Sequence, residues 1–202
     1  MIRHWFPILF AVILASVPRV SDAGSIIYTA TLTGPNESPP NVSAGFGFAE
    51  IDFDTAANTM RVQVSFMGLL GTTTASHIHA ATATSGSGTA MVATTLPTFP
   101  GFPLGVTSGT YDSGLLDLTS ATSYNPSFIG ANGGTTASAE AALLASAAAG
   151  TSYFNIHTTV FPGGEIRGFL IPTAVPEPSS VIMLGMSVLA VAAYGLRRRM
   201  VK

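Results

Sequence analysis

The sequence predicts an all-β domain, an antiparallel β-sandwich or partly closed barrel with one short helix, followed by a C-terminal transmembrane helix. Three features point there. Between residues 25 and 172, apolar side chains recur mostly at every second position, the period of a half-buried strand. Clusters of Gly, Pro, Asn and Asp interrupt these runs at short intervals, as strand-linking turns do. One Ala/Leu-rich stretch breaks the alternation, and one long apolar run sits near the chain end.

The elements follow in order. Ile26 to Thr33 alternates apolar residues with Thr. Phe46, Phe48, Ile51 and Phe53 mark a second strand. Met60, Val62, Val64 and Phe66 alternate with Arg61, Gln63 and Ser65, so 46–66 reads as a hairpin turning through Asp54–Thr59. Ser76–Ala80 and Met91–Leu96 are short strands, separated by a small-residue loop. Pro97, Pro100 and Pro103 exclude a central strand in the segment they occupy. Thr107–Leu118 holds one or two strands. Ser138–Ala149 reads as a helix of about three turns, with Ser138 as its cap and Gly150 beyond its end. Tyr153–His157 and Glu165–Ile171 are two further strands joined through Pro162-Gly163-Gly164.

The two ends read as addresses. Residues 1–23 have a short basic start, an apolar run from Phe6 to Val17, and small residues at Ser21 and Ala23. That is a secretory signal with cleavage expected after Ala23 by signal peptidase. Residues 173–180 form a linker containing Pro176-Glu177-Pro178. The apolar run 181–196 is at the low end of what spans hydrocarbon, about 17–25 residues. The basic tail 197–202 would keep its end on the cytoplasmic side. The body, residues 24–172, is then expected outside the inner membrane.

Charge narrows the partners. Charged residues are 9% of the 202-residue chain, against roughly 25% in an ordinary soluble domain. Between residues 24 and 175 the only basic residues are Arg61 and Arg167, against Glu37, Glu50, Asp52, Asp54, Asp112, Asp117, Glu140 and Glu165. Such a body offers phosphate almost no counter-charge, which argues against nucleic acid. The chain has no cysteine, so disulfides, thiolate metal sites and cysteine nucleophiles are excluded.

The histidines carry the most chemical information. His77 and His79 flank Ile78, so in an extended strand both imidazoles face one side. Asn155 and His157 flank Ile156 in the same way. If the two segments pair, three imidazoles converge, a set suited to copper or zinc. The alternative is strand histidines bonded to neighbouring backbone. Glu165 and Arg167, two apart on one strand, would share a face, either as a site for a carboxylate or sugar hydroxyl or as an ion pair or loop tether. Asn36 and Glu37 precede Ser38-Pro39-Pro40 in a rigid turn after the first strand. No nucleophile elbow, phosphate loop or dinucleotide fingerprint is present.

Two resemblances join these pieces. Pro-Glu-Pro at 176–178, a short apolar run and Arg197-Arg198-Arg199 together resemble the PEP-CTERM sorting signal of Gram-negative bacteria. That resemblance implies removal of the anchor by a membrane protease, exosortase, in bacteria that make exopolysaccharide and biofilm. Thr33-Gly34-Pro35-Asn36-Glu37-Ser38-Pro39-Pro40, Ser76-His77-Ile78-His79-Ala80, Tyr153-Phe154-Asn155-Ile156-His157-Thr158 and Pro162-Gly163-Gly164-Glu165-Ile166-Arg167-Gly168 occur in this order. Together they resemble the CHRD domain from about Ile26 to Ile171. Ser38 and Phe161 depart from the residues usual there, and neither touches the histidines. The family implies an immunoglobulin-like barrel without established enzymatic activity. The His-Ile-His strand is also similar to the paired-histidine strand of copper/zinc superoxide dismutases, but the zinc loop and disulfide of those proteins have no counterpart.

The expectation is therefore an exported, non-enzymatic cell-surface or extracellular-matrix domain with a binding, adhesion or scaffold role. Its expected partners are signal peptidase, an exosortase-type protease, extracellular polysaccharide, and the membrane through the C-terminal helix. The alternative is a copper- or zinc-binding domain, with metal-dependent redox activity as its catalytic form, using His77, His79 and His157.

Overall fold

Strict alternation in the first part of the domain builds three antiparallel strands: β1 (Ser25–Thr33), β2 (Phe46–Asp54) and β3 (Thr59–Met67). Tyr28, Ala30 and Leu32 of β1, Ala49, Ile51 and Phe53 of β2, and Met60, Val62, Val64 and Phe66 of β3 are buried, while their neighbours face out. The β2–β3 turn closes because Asp54 Oδ1 accepts from the backbone N–H groups of Ala56 and Ala57, and Asn58 takes the left-handed conformation, φ 52°. The computed structural model describes residues 25–173. The expected signal segment 1–23, the Pro-Glu-Pro motif, the apolar run 181–196 and the basic tail 197–202 lie outside the described residues. Among the described residues no helix is long and apolar enough to cross a membrane.

Five more strands complete the sheet: β4 (Thr73–His79), β5 (Gly109–Asp117), β6 (Tyr153–Thr158), β7 (Ile166–Phe169) and β8 (Ile171–Pro172). The order is β4-β6-β7-β1-β2-β3-β5, with β8 also beside β1. All pairs are antiparallel. This is one curled sheet, a half-barrel, rather than two separately bonded sheets of a sandwich. Phe99 shows the curl. Its ring lies 6.1 Å from Phe154 of β6, next to the end strand β4, and 6.2 Å from Tyr111 of β5, the other end strand, so one buried side chain packs against strands far apart in the sheet order.

The segment after β4 fills the gap. Expected as a strand, 91–96 makes only isolated bridges, Val92 to His79 and Thr94 to Tyr124. The reason is chemical. The Ile78 and Ser76 N–H groups are taken by the hydroxyls of Thr94 and Thr98, 3.0 Å each, where a strand would present carbonyls. The segment still covers the free edge of β4. Ala80 N donates to Met91 O, Ala93 N to Ile78 O, Gly105 N to Thr73 O, and Thr73 N to Val106 O.

The helix differs in its start. α2 spans Thr136–Ala148, capped by Thr135, with Ser138 inside the first turn as the reciprocal partner of a capping box. A six-residue helix, α1 (Pro126–Ala131), precedes it, capped by Asn125 with Pro126 at its first position. The expected strand 165–171 is divided into β7 and β8 around Leu170, which turns into the core. Thr173 N donates to Ile27 O, so the described chain leaves beside the strand on which it entered.

Candidate metal centre

The β4–β6 register sets the site. His77 lies opposite Asn155, His79 opposite Tyr153, and Ala75 opposite His157. Ile78, Phe154 and Ile156 point into the core and are fully buried. Pleating therefore puts His77, His79, Tyr153, Asn155 and His157 together on the other face. The imidazole centroids are 5.8 Å (His77–His79), 5.3 Å (His77–His157) and 5.8 Å (His79–His157) apart. One ring nitrogen from each lies within 4.8 Å of the others. His77 and His79 are buried, and His157 is half-buried.

Three backbone carbonyls decide which nitrogens are free. His77 Nε2 bonds Pro97 O at 2.6 Å, His79 Nδ1 bonds Ala90 O at 2.9 Å, and His157 Nδ1 bonds Pro162 O at 2.9 Å. A carbonyl only accepts, so each of these nitrogens carries the proton. That leaves lone pairs on His77 Nδ1, His79 Nε2 and His157 Nε2. These three atoms are buried and have no hydrogen-bond partner. Burial also keeps the rings neutral. It is the main cause that pushes His77 and His79 down to about 4, and it lowers His157 as well. Neutral imidazoles, each tied through its other nitrogen to a carbonyl, are in the state that metal ligation requires.

A second row supports the first. The Tyr153 ring stacks on His79 at 4.7 Å, with 6° between planes. Its hydroxyl accepts from Ala90 N, while Ala90 O receives the His79 proton. Arg167, on β7, lies over the Tyr153 ring at 4.6 Å. The guanidinium donates to Asn36 O at 2.5 Å and to Gly88 O at 2.9 Å, pinning two loops. Glu37 Oε2 lies 3.7 Å from Arg167 Nε. Burial raises Glu37 to about 7, against the lowering effect of Arg167. Asn155 and Arg167 thus border the histidines, while Asn36 and Glu37 meet Arg167.

Glu165 belongs elsewhere. It precedes β7 and is fully buried. Oε1 accepts from Ser43 Oγ at 2.6 Å and Leu70 N at 2.5 Å. Oε2 accepts from Gly71 N at 3.1 Å and Thr158 Oγ1 at 2.7 Å. It is a loop tether, and the carboxylate that faces Arg167 is Glu37. Tyr153 and the three receiving carbonyls were not singled out from the sequence. Tyr153 was within reach of the same alternation, two residues before Asn155. The carbonyls were not, because they depend on loop conformation.

The family model of the CHRD domain matches residues 28–170. The chain belongs to the CHRD family. The model of the PEP-CTERM protein-sorting motif matches residues 174–199, directly after the CHRD domain. That motif implies export and surface association in bacteria, with processing by an exosortase-type system. No curated protein and no solved structure matches the chain.

Proposed function

We propose that this exported CHRD domain is a binding module rather than an enzyme, and that at the bacterial surface it holds one copper or zinc ion on His77, His79 and His157. The observation that carries this reading is the set of three convergent, buried, unpartnered imidazole lone pairs. Leaving one buried acceptor unpaired costs about 1–3 kcal/mol, so three in one place form an expensive arrangement unless a ligand meets them. A metal with bonds of about 2.0–2.1 Å needs the nitrogens to draw together by roughly an ångström, within the reach of side-chain rotation. Imidazole nitrogen without thiolate suits copper(II) and zinc over softer-ligand metals.

The test is titration of the purified full chain with copper and with zinc, beside the His77→Ala/His79→Ala variant. Circular dichroism of both proteins verifies that the variant is folded. The expected result is one ion per wild-type chain, with tight binding lost in the variant. Equal binding by the two proteins would refute the reading, and the domain would then act through surface contacts with polymer.

A further inference from the structure

Exposed apolar side chains gather at one end of the half-barrel. Among the described residues twelve large ones are exposed, and six of them share that end: Val42, Phe46, Met67, Leu70, Leu104 and Val160. They lie in four segments, 41–46, 67–72, 103–108 and 158–164. Register puts these segments side by side. Phe46 is the cross-strand partner of Thr33 and of Met67, Phe66 of Gly109, and Thr73 of Thr158. Backbone bonds tie them further: Leu69 N donates to Thr107 O, Gly105 N to Thr73 O, and Thr159 N to Thr72 O.

None of the four segments contains Asp, Glu, Lys, Arg or His. The carboxylate beside them, Glu165, is fully buried and accepts from Ser43 Oγ, Leu70 N, Gly71 N and Thr158 Oγ1. Three of the four segments are thus fixed to one inward charge. They present their apolar side chains already ordered, which lowers the entropic cost of docking. Acids collect at the other ends of the same strands. Asp54 pairs with Thr59, and Thr59 with Asp117. Along β2 that end lies about 25 Å from Phe46.

We propose that this charge-free end is a self-association surface, through which two copies of the chain pack end to end. The proposal stands apart from the metal-binding reading. Contiguous apolar patches on an exported domain meet either protein or membrane. Charge selects between them. The patch has no Lys or Arg to hold lipid headgroups, and a body with eight acids against two arginines is repelled by an anionic leaflet. An uncharged surface meets its own copy without like-charge repulsion. End-to-end packing also keeps Asp52, Asp54 and Asp117 of the two copies roughly 50 Å apart, far beyond the screening length of about 8 Å. Contact through the outer face of β2, β3 and β5 would instead bring Glu50, Asp52 and Asp112 of both copies together.

The experiment is sedimentation equilibrium of the full chain in a neutral, density-matched detergent. Val42→Asp/Met67→Glu is the disrupting variant, at positions 92% and 63% exposed. Leu115→Glu is the control, since Leu115 is exposed but pairs with Arg61, away from this end. Circular dichroism verifies that each protein is folded, and Val160→Asp replaces the double variant if that one is not. The expected result is a dimer for wild type and Leu115→Glu. Association is at least about tenfold weaker in Val42→Asp/Met67→Glu, where two charges on each copy must leave water. A monomer throughout overturns the proposal. Equal association by all three proteins overturns it too, and puts the contact elsewhere, as in the apolar run 181–196. A wild type that sediments as a monomer but floats with phosphatidylcholine vesicles, an ability lost in the double variant, overturns it in favour of a lipid surface.

Discussion

Glu165→Gln tests what ties the loops at 43 and 70–71 to the end of β6 in the half-barrel. The carboxylate accepts four hydrogen bonds, two on each oxygen, and each oxygen serves one hydroxyl and one backbone N–H. Burial opposes its charge, yet those hydrogen bonds outweigh burial and keep Glu165 below the usual carboxylate range. Glutamine offers one accepting oxygen. With its amide nitrogen at the Oε1 position, the Ser43 hydroxyl can turn to accept, but Leu70 N–H then points at another N–H. In the other orientation the Thr158 hydroxyl can turn and Gly71 N–H is stranded. Either way one buried backbone donor is lost, at about 1–3 kcal/mol, and the surviving bonds lose their charge assistance. A total near 3 kcal/mol lowers Tm by about 10 °C in a domain of this size. Thermal unfolding of the full chain, followed by circular dichroism at pH 7, measures it. Asp112→Asn is the control. It breaks the Arg61–Asp112 pair, which is exposed on both sides, and leaves Tm where it was. A Glu165→Gln shift no larger than that of Asp112→Asn would refute the reasoning.

Two further outcomes follow from the same structure. Because His77 and His79 titrate near 4 in the folded chain and near 6.5 when unfolded, the unfolded state binds more protons between those values. Metal-free stability therefore falls as pH drops from 6.5 toward 4, by up to about 1.4 kcal/mol per pH unit for each histidine. Glu37, raised to about 7, works the other way, since its stabilisation is present below 4.5 and lost as pH rises through 7. The histidines outnumber it, so urea unfolding at pH 6.5, 5.5 and 4.5 gives decreasing stability, and His77→Ala/His79→Ala flattens the profile. An equal slope in that variant would count against the assignment. Gly168→Ala places a Cβ against the Thr31 carbonyl oxygen across the β7–β1 contact. Neither backbone can yield without parting the strands, so the expected loss is about 2–3 kcal/mol in denaturant unfolding. An unchanged midpoint would show that β1 and β7 are not packed as described.

The strands were legible where one face is wet and the other dry. β1, β2 and β3 follow their alternation, because Tyr28, Ile51, Val62 and their neighbours must all point inward. The same rule put His77, His79 and His157 on one face. Legibility failed where side chains substitute for backbone. Residues 91–96 read as a strand, but Thr94 and Thr98 use hydroxyls where a ladder uses carbonyls. At the helix start, Thr135 and Ser138 cap reciprocally, so Ser138 read as the cap while Thr135 is. Glu165 and Arg167 have the spacing of same-face neighbours, but the irregular backbone at Gly164, just before β7, sends Glu165 to the 70–71 turn. The tautomers of the histidines were beyond the sequence altogether, since Ala90, Pro97 and Pro162 contribute only carbonyls, which any residue could supply.

The way the described chain leaves the sheet gives the half-barrel a direction. Thr173 bonds to Ile27 near the start of β1, and the sorting motif begins at the next residue. The histidine row crosses the sheet along His77, Asn155 and Arg167 to Thr33, at the other end of the same strand. From Ile27 to Thr33 an extended chain covers about 20 Å. Thr173 thus joins the sheet near one end of β1, and the row that carries His77 meets β1 at its other end.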